Sequence, residues 1–400
     1  MSFARQLFCY PRGMKISKLI AAALALAGIA SSHARADEGQ AIEQAVQAMC
    51  PKQVVLLGEA THGGGHTTAL KVELVQRLVT QCGFNVVLFE SSFYEFFPIA
   101  EQVRERQPIP PALVATAVGG VWKFSQEMQA LFPFLAQQVS DGKLELGGLD
   151  FQAGGFQQPY SNGAMFAELS APLADDRRAF CKALFRARIY DNDDLAGFSA
   201  LPPCISDMAL VARQDQAGKI RNLQAWLATD GRPQADLVRA RDKMMAENAS
   251  AWIDRAGTPA KVLIWAHNGH AARDTANLPD YGSEDNLGRA LSRRYGDKVF
   301  ALAISAYEGE FRWSQGVNKA LPSAPPDSLE ARYGRQQDLA FVTADTLRHA
   351  GASASAAFGY NYLRGDWSKA YDGMLILQQE HPSHDSRDQP TQPICVFAIP

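Results

Sequence analysis

The stretch VVLLGEATHGGGH, residues 54–66, decides the fold of this 400-residue chain. Four apolar residues, of the β-branched and leucine types that fill buried strands, run directly into Gly58 and Glu59. His62 and three glycines follow, and His66 closes the stretch. A buried strand that ends in ionisable residues and glycines is typical of the edge of an open sheet, where ligands bind.

Similar apolar runs recur along the chain, and each ends in an ionisable residue. VVLFE ends at Glu90, LELGGLD at Asp150 and VLIWAH at His267. The segment between the first two runs, residues 66–81, has apolar side chains close to the helical period. This pattern predicts parallel strands that are buried on both faces and joined by helical crossovers. Further strand candidates are KVFALAIS, DGMLILQQ and PICVFAI.

The central segment, about residues 160–256, has a different pattern. It contains few strand signals, and RRAFCKALFRARIY and ARDKMMAENASAWIDRA are typical of amphipathic helices. We therefore predict an α/β fold with a mostly parallel central sheet flanked by helices. A helical insertion over the carboxyl ends of the strands would interrupt a single domain that covers residues 37–400.

Composition and charge restrict the function classes. Hydrophobic residues make up 47% of the chain and charged residues 20%, as in ordinary globular proteins. The formal net charge is −3, so no basic excess points to nucleic acid or to an anionic membrane surface. These values leave a small molecule as the expected partner.

The N-terminal region has the pattern of a secretory signal peptide. A basic start after Met14 is followed by the apolar run LIAAALALAGIA and by Ala34-Arg35-Ala36, a small-x-small cleavage site. We expect residues 1–36 to be an upstream segment and signal peptide, with cleavage after Ala36 and a periplasmic or secreted mature protein. The alternative is a helix that anchors the chain in a membrane.

Export would make the cysteines candidate disulfide partners. Cys50 and Cys82 each lie four residues before an apolar run, VVLL and VVLF respectively. If these two runs are neighbouring parallel strands, both cysteines lie at one edge of the sheet and can form a disulfide. Cys181 and Cys204 can pair within one helical region, and Cys395 is left over.

The ionisable residues at the strand ends form the candidate site. Glu59, Glu90, Asp150 and His267 all follow predicted strands, and the carboxyl ends of parallel strands meet at one edge. Any one of them can be a structural cap, but four together indicate a functional site. His270 lies three residues after His267, a spacing that puts both rings on one face of a helical turn. Metal binding, proton transfer and substrate binding are all open to this pair.

The glycines after His62 allow a sharp turn and a close approach of a ligand to the backbone. They match neither the phosphate-binding pattern G-x-x-x-x-G-K-[ST] nor G-x-G-x-x-G, so a nucleotide site is not indicated. The chain also lacks G-x-S-x-G, so a serine nucleophile is not indicated.

Several motifs together resemble the erythromycin esterase family. GEATHG, GFNVVLFE, GGLDFQ, ARDKMMAENASAW and KVLIWAHNGH occur here in the family's order, and WKFSQEMQALFPFL and YDGMLILQQEHP also fit. The pair GEATHG and WAHNGH is the specific part of the resemblance. The chain departs from the family at His66, where relatives tend to carry glutamate, and at Thr67 and Thr68, where they tend to carry bulky residues.

This resemblance implies a central sheet, flanking helices, a deep cleft and ester or lactone hydrolysis. It implies that His62 is the general base that activates water, that Glu59 and Glu90 line the cleft, and that His267 and His270 form a second catalytic pair. The chemistry agrees, since histidine is a base near neutral pH and a neighbouring carboxylate stabilises the imidazolium. We also expect contacts with substrate from Asp150, His66 and Trp122, although His66 can instead be a helix-start residue bonded to backbone.

We expect no cofactor, but a divalent metal is possible because Glu59, His62, Glu90, His267 and His270 are all acceptable ligands for zinc or manganese. The alternatives are therefore a metal-dependent hydrolase and a non-catalytic protein that binds haem or a lipid-like ligand on the same scaffold.

Overall fold

The computed structural model describes residues 38–387, except for 121, 155–157, 191–198, 256–259, 277, 279–284 and 315. The predicted signal peptide, Cys395 and the strand candidate PICVFAI lie outside the described residues.

A central sheet of eight strands organises the chain. The described strands are β1 (Val54–Leu57), β2 (Val86–Ser92), β3 (Glu145–Asp150), β4 (Val262–Trp265), β5 (Val299–Ser314), β6 (Val317–Ala320), β7 (Leu339–Thr343), β8 (Ala352–Phe358), β9 (Asn361–Asp366) and β10 (Gly373–Glu380). The spatial order is β3-β2-β4-β1-β5-β10-β7, with β6 paired to β5, while β8 and β9 form a separate hairpin. Only β6 and β7 run antiparallel to their neighbours in the central sheet, so the predicted mostly parallel α/β fold is confirmed.

The register of the parallel strands aligns their carboxyl ends. Leu57 at the end of β1 pairs with Trp265 of β4, and Trp265 also pairs with Phe89 of β2. These three side chains are fully buried. The chain segments that follow them therefore emerge together at one edge of the sheet.

Helices cover both faces of the sheet, as the β-branched strands require. They are α1 (residues 38–49), α2 (Gly65–Cys82), α3 (Phe97–Arg104), α4 (Pro111–Val118), α5 (Leu131–Ser140), α6 (Met165–Ser170), α7 (Asp175–Tyr190), α8 (Leu201–Val211), α9 (Ala217–Leu227), α10 (Gln234–Ile253), α11 (Asn268–Ala271), α12 (Leu287–Tyr295), α13 (Ala344–Ala350) and α14 (Trp367–Ala370). The helix predicted at residues 66–81 is α2, which ends at Gly83 in the left-handed conformation.

The segment between β3 and β4 is helical in its described parts, residues 158–190 and 199–255. It holds α6 to α10 and has a hydrophobic cluster of its own, built around Phe166, Phe185 and Leu223. The last of these helices, α10, packs against β3 and β2 and reaches the carboxyl edge of the sheet.

The structure contains both predicted cysteine pairs, but the reasoning behind the first pair was wrong. Cys50 and Cys82 form a disulfide with their Cα atoms 5.1 Å apart, and Cys181 and Cys204 form another at 5.7 Å. The strands β1 and β2 are not neighbours, because β4 lies between them. The disulfide instead joins the chain just after α1 to the last residue of α2, and Nζ of Lys261, before β4, donates to the carbonyl oxygens of both cysteines.

None of the helices in the described residues combines the length and the apolar character that crossing a membrane requires.

Candidate active site

The end of β1 places Glu59 beneath His62. Oε1 of Glu59 lies 2.6 Å from Nδ1 of His62, and Oε2 accepts a hydrogen bond from Nζ of Lys71 at 2.9 Å. Glu59 and Lys71 are fully buried, whereas the His62 side chain is 39% exposed. Because Nδ1 is engaged by the carboxylate, Nε2 is the nitrogen that faces outward, and no described residue lies within hydrogen-bond distance of it.

The charges around Glu59 change the pKa values of three side chains, Glu59, His62 and Lys71. Burial alone would raise the pKa of Glu59, but Lys71 and His62 outweigh it and lower that pKa below its usual value. Burial alone would lower the pKa of His62, but the hydrogen bond and charge of Glu59, helped by the charge of Glu90, raise it. Burial lowers the pKa of Lys71 to about 8 despite the neighbouring carboxylate. His62 therefore holds a proton more strongly than a free histidine does.

The end of β2 places a second carboxylate, Glu90, among three donors. Oε1 accepts from Nη2 of Arg241 at 2.8 Å and lies 3.2 Å from Nε2 of His270. Oε2 accepts from the backbone N–H of His267 at 2.7 Å. Burial alone would raise the pKa of Glu90, but His270 and Arg241 hold it well below the usual value. Glu90 is thus an anion that holds Arg241 and His270 in place and also binds the backbone at His267.

The two histidines after β4 have different environments. Nε2 of His267 donates to the carbonyl oxygen of Ala60 at 2.6 Å, and Nδ1 accepts from the backbone N–H of Gly269 at 3.0 Å. Burial and the neighbouring histidines lower the pKa of His267 to about 4, so its ring is neutral. Both of its nitrogens are used by backbone, which favours a positioning role for this ring.

His270 is held as a cation by two carboxylates. Its Nδ1 lies 2.7 Å from Oδ1 of Asp242, and its Nε2 faces Glu90. Burial opposes the charge, but Glu90 and Asp242 together raise the pKa of His270 to about 10. The side chain is 15% exposed, so the cation is largely buried.

Arg241 on α10 ties the β2 and β3 ends together. Its Nε donates to Oδ2 of Asp150 at 2.8 Å while its Nη2 donates to Glu90, and its Nη1 lies 2.9 Å from Nε2 of His270. The structure thus assembles the predicted residues Glu90, Asp150 and His270 around one guanidinium.

Trp122 belongs to the same site, whereas His66 does not share these contacts. The Trp122 ring meets the His62 ring edge-on, with centroids 4.9 Å apart, and so forms an apolar wall beside it. His66 lies in the first turn of α2, where its backbone N–H donates to Oε1 of Glu380 at 2.8 Å and its Nδ1 lies 3.0 Å from the carbonyl oxygen of Gln379. These contacts are those of a helix-start residue bonded to backbone, which was the alternative prediction.

The three glycines after His62 serve packing rather than the ligand access that we expected. A Cβ on Gly64 would lie 2.5 Å from Oε2 of Glu380, and one on Gly65 would lie 2.6 Å from Nδ1 of His381. A Cβ on Gly63 would collide with the backbone of Arg312. The turn is therefore pressed against β5 and the segment after β10, and this contact fixes the position of His62.

Two cavities flank the β2–β3 side of the sheet. One of about 270 Å³ opens beside Asp150 and has polar lining from Gln152, Gln158 and Arg188, with Trp226 behind. The other, of about 350 Å³, is apolar and is lined by residues such as Phe93 and Trp252, but by none of the predicted site residues. Only the first adjoins the cluster around Arg241.

Comparison with known proteins agrees with this arrangement. Residues 202–380 match the family model described as erythromycin esterase. The YbfO protein of Bacillus subtilis (strain 168) is 23% identical over 384 residues, which cover 83% of this chain and 84% of YbfO. The predicted resemblance to the erythromycin esterase family is confirmed.

Solved structures share the fold. A protein from Bacillus cereus superposes with a TM-score of 0.67 at 19% identity, over 84% of this chain and 91% of that chain. The erythromycin esterase EreC, solved as a mutant in its open conformation, superposes with a TM-score of 0.61 at 16% identity, over 85% of this chain and 93% of that one. At these identities the likeness shows the fold alone, and the match to the erythromycin esterase model concerns residues 202–380.

The erythromycin esterase match does not itself include the β1 and β2 ends. It covers Arg241 and the two histidines after β4, but the chain folds so that Glu59 and Glu90 join them. Sequence reasoning missed Lys71, Arg241 and Asp242 as site residues. Arg241 and Asp242 lie in the motif ARDKMMAENASAW, so their signal was present. Lys71 had a weaker signal, a lone cation on the apolar face of α2.

Proposed function

We propose that this protein is an exported hydrolase that cleaves a carboxylic ester or lactone with water activated by His62. The observation that carries the proposal is the Glu59–His62 pair, in which Nδ1 of a partly exposed ring is bound to a buried carboxylate while Nε2 has no hydrogen bond to any described residue. This is the arrangement that a general base needs, because the carboxylate fixes the tautomer and stabilises the imidazolium.

The reaction follows from that geometry. Nε2 of neutral His62 takes a proton from water as the water oxygen attacks the carbonyl carbon of the substrate. The tetrahedral intermediate collapses by breaking the bond between the carbonyl carbon and the alkoxy oxygen. The proton held by His62 then passes to the leaving alkoxide, so the products are a carboxylic acid and an alcohol, joined in one molecule if the substrate is a lactone.

The cations around Glu90 are suited to the negative charge that develops on the carbonyl oxygen. His270 and Arg241 both contact Glu90, and the neighbouring carboxylates raise the pKa of each and so favour its charged form. His267 is neutral and bonded to backbone through both nitrogens, so its role is to position the Glu90 side of the cleft. We therefore assign the assisting role to His270 rather than His267.

The donor set supports a reaction without a metal. Both carboxylates that a metal would need at this site are already paired with a cation, Glu59 with Lys71 and Glu90 with Arg241. A divalent metal would have to displace both of these buried contacts. Metal analysis of the wild type and Glu59→Gln, both purified without chelator, checks this point, and a stoichiometric metal that is present in the wild type and lost in Glu59→Gln would contradict it.

The substrate we propose is a small molecule with polar groups beyond its ester. The cavity beside Asp150 has a polar lining, and its volume of about 270 Å³ suits a modest polar moiety. The buried ring of Trp122 packs edge-on against His62 and makes its immediate surroundings apolar.

The test is a panel of ester and lactone substrates assayed with the wild type and His62→Ala. We expect turnover to fall by ~10²–10⁴, the usual range for loss of general-base assistance. His66→Ala is the matched control, because His66 lies in the first turn of α2 and has its hydrogen bonds with Glu380 and Gln379 rather than with the residues around Glu59. Full activity in His62→Ala, with circular dichroism showing an intact fold, would refute the mechanism.

Export is the second part of the proposal. Two disulfides support an oxidising compartment, since cytosolic thiols are normally kept reduced. N-terminal sequencing of protein from the periplasm or medium should begin at Asp37. Recovery of the uncleaved chain from the cytosol, with free thiols, would contradict export without affecting the proposed chemistry.

A further inference from the structure

A second cluster of metal-ligating side chains lies outside the proposed reaction. Glu127, His381 and His384 each bring one ligand atom to within 4.8 Å of the other two. Oε1 of Glu127 lies 2.7 Å from Nδ1 of His384. None of the three takes part in the contacts around Glu59 or Glu90.

Neighbouring groups hold the carboxylate of Glu127 in place. Oγ of Ser125 donates to its Oε2 at 2.6 Å, and the backbone N–H of His384 donates to Oε1 at 3.2 Å. The side chain of Glu127 is 9% exposed, whereas that of His384 is 63% exposed. The cluster therefore has an oriented, largely buried oxygen ligand and two imidazoles at the surface, which leaves room for water.

The backbone of the segment that carries both histidines is also fixed. The carbonyl oxygen of His381 accepts from the N–H of Gly65 at 2.7 Å, and that of His384 accepts from the N–H of Gln126 at 2.8 Å. The N–H of Ser383 donates to the carbonyl oxygen of Gly63 at 2.9 Å. The ring of His381 stacks on that of His66, with centroids 5.5 Å apart. Small side-chain rotations thus suffice to bring the three ligands together.

We propose that Glu127, His381 and His384 bind a divalent transition-metal cation of the zinc class. Two imidazoles and one carboxylate are ligands that zinc accepts, with water in the fourth position. The cation would take the place of the proton shared between His384 and Glu127. It would cross-link the segment after β10, which is bonded to the glycine turn beside His62, to the segment that carries Trp122.

The test titrates chelator-treated, dialysed full-length protein with ZnCl₂ in competition with a chromophoric chelator. The wild type should bind one cation per chain at this site, and ZnCl₂ should raise its thermal midpoint. His384→Ala and Glu127→Gln should each weaken zinc binding at least about tenfold. Loss of a residue that only orients a metal ligand already costs that much, and these two variants remove a ligand itself. His349→Ala, which removes an exposed histidine on α13, should bind like the wild type.

Two further variants keep the result decisive. Ser125→Ala should fold normally and weaken binding, because it removes only the hydrogen bond that orients Glu127. His62→Ala should retain the cation, because His62 belongs to the other site. Unchanged affinity in both His384→Ala and Ser125→Ala, loss of the cation in His62→Ala, or no binding by the wild type would each overturn the proposal.

Discussion

The carboxylate of Glu59 lies 2.6 Å from Nδ1 of His62, and this contact leaves Nε2 as the ring nitrogen that can accept a proton from water. The other oxygen of Glu59 is bound to Lys71, so the carboxylate stays ionised although it is fully buried. The protonation of His62 at the surface therefore depends on the fully buried Lys71, because Lys71 keeps the Glu59 carboxylate ionised.

The first prediction concerns pH. His62 must be neutral to accept a proton, and Glu59 raises its pKa, so activity should fall as pH decreases through that raised pKa. Glu59→Gln removes the negative charge that raises the pKa. The acid limb of the profile of kcat/KM against pH should therefore move to lower pH, while the maximum falls. If the acid limb lay at the same pH in Glu59→Gln as in the wild type, a group other than His62 would control it.

The second prediction concerns the stability of the Glu59–Lys71 pair. Lys71→Met leaves a buried carboxylate without its cation, which typically costs about 3–5 kcal/mol. Urea denaturation at neutral pH should show this loss in the free energy of unfolding. The double variant Lys71→Met with Glu59→Gln buries no charge, so it should be more stable than Lys71→Met alone. Equal stability of the two would mean that the carboxylate reaches water or another partner.

Much of the fold followed from local pattern. The runs that became β1, β2 and β4 are short, apolar and ended by ionisable residues, and the structure has strands there. The strands β6, β7, β8 and β9 were not predicted. These strands are short or rich in small and polar residues, and all of them pair antiparallel, unlike the apolar runs that form the parallel part of the sheet.

The site was only partly predictable for a related physical reason. A strand end marks where Glu59 and Glu90 emerge, so their position could be inferred from sequence. The cations that neutralise them come from helices, Lys71 from α2 and Arg241 from α10. Which helical residue reaches a given carboxylate depends on packing, and β4 between β1 and β2 was equally invisible in the sequence.

The third prediction concerns Arg241. Arg241→Met leaves Glu90 and Asp150 without their shared cation, so unfolding free energy should fall by about 3 kcal/mol and kcat/KM should fall as well. Arg239→Met on the same helix is the matched control, because Arg239 is an exposed residue paired with Asp236. Such exposed pairs contribute about 0–1 kcal/mol. If both variants lost the same amount of unfolding free energy and of kcat/KM, the substitutions would be disturbing α10 in general rather than the site.

The fourth prediction separates the two disulfides. Cys50 and Cys82 are 32 residues apart and Cys181 and Cys204 are 23 apart, so the chain-entropy model gives each about 3–4 kcal/mol. Serine at both positions of either pair should lower the free energy of unfolding by a similar amount in urea denaturation.

The two disulfides should differ in their effect on activity. Cys82 ends α2, the helix that starts at the glycine turn beside His62 and carries Lys71. Cys181 and Cys204 lie in the α7–α8 region, in a separate hydrophobic cluster. Loss of the Cys50–Cys82 disulfide should therefore lower kcat under conditions where the protein is still folded, whereas loss of the Cys181–Cys204 disulfide should leave kcat nearly unchanged. If instead only the second variant loses activity, the α7–α8 region takes a direct part in the reaction, and the substrate extends further into the helical insertion than the cavity beside Asp150.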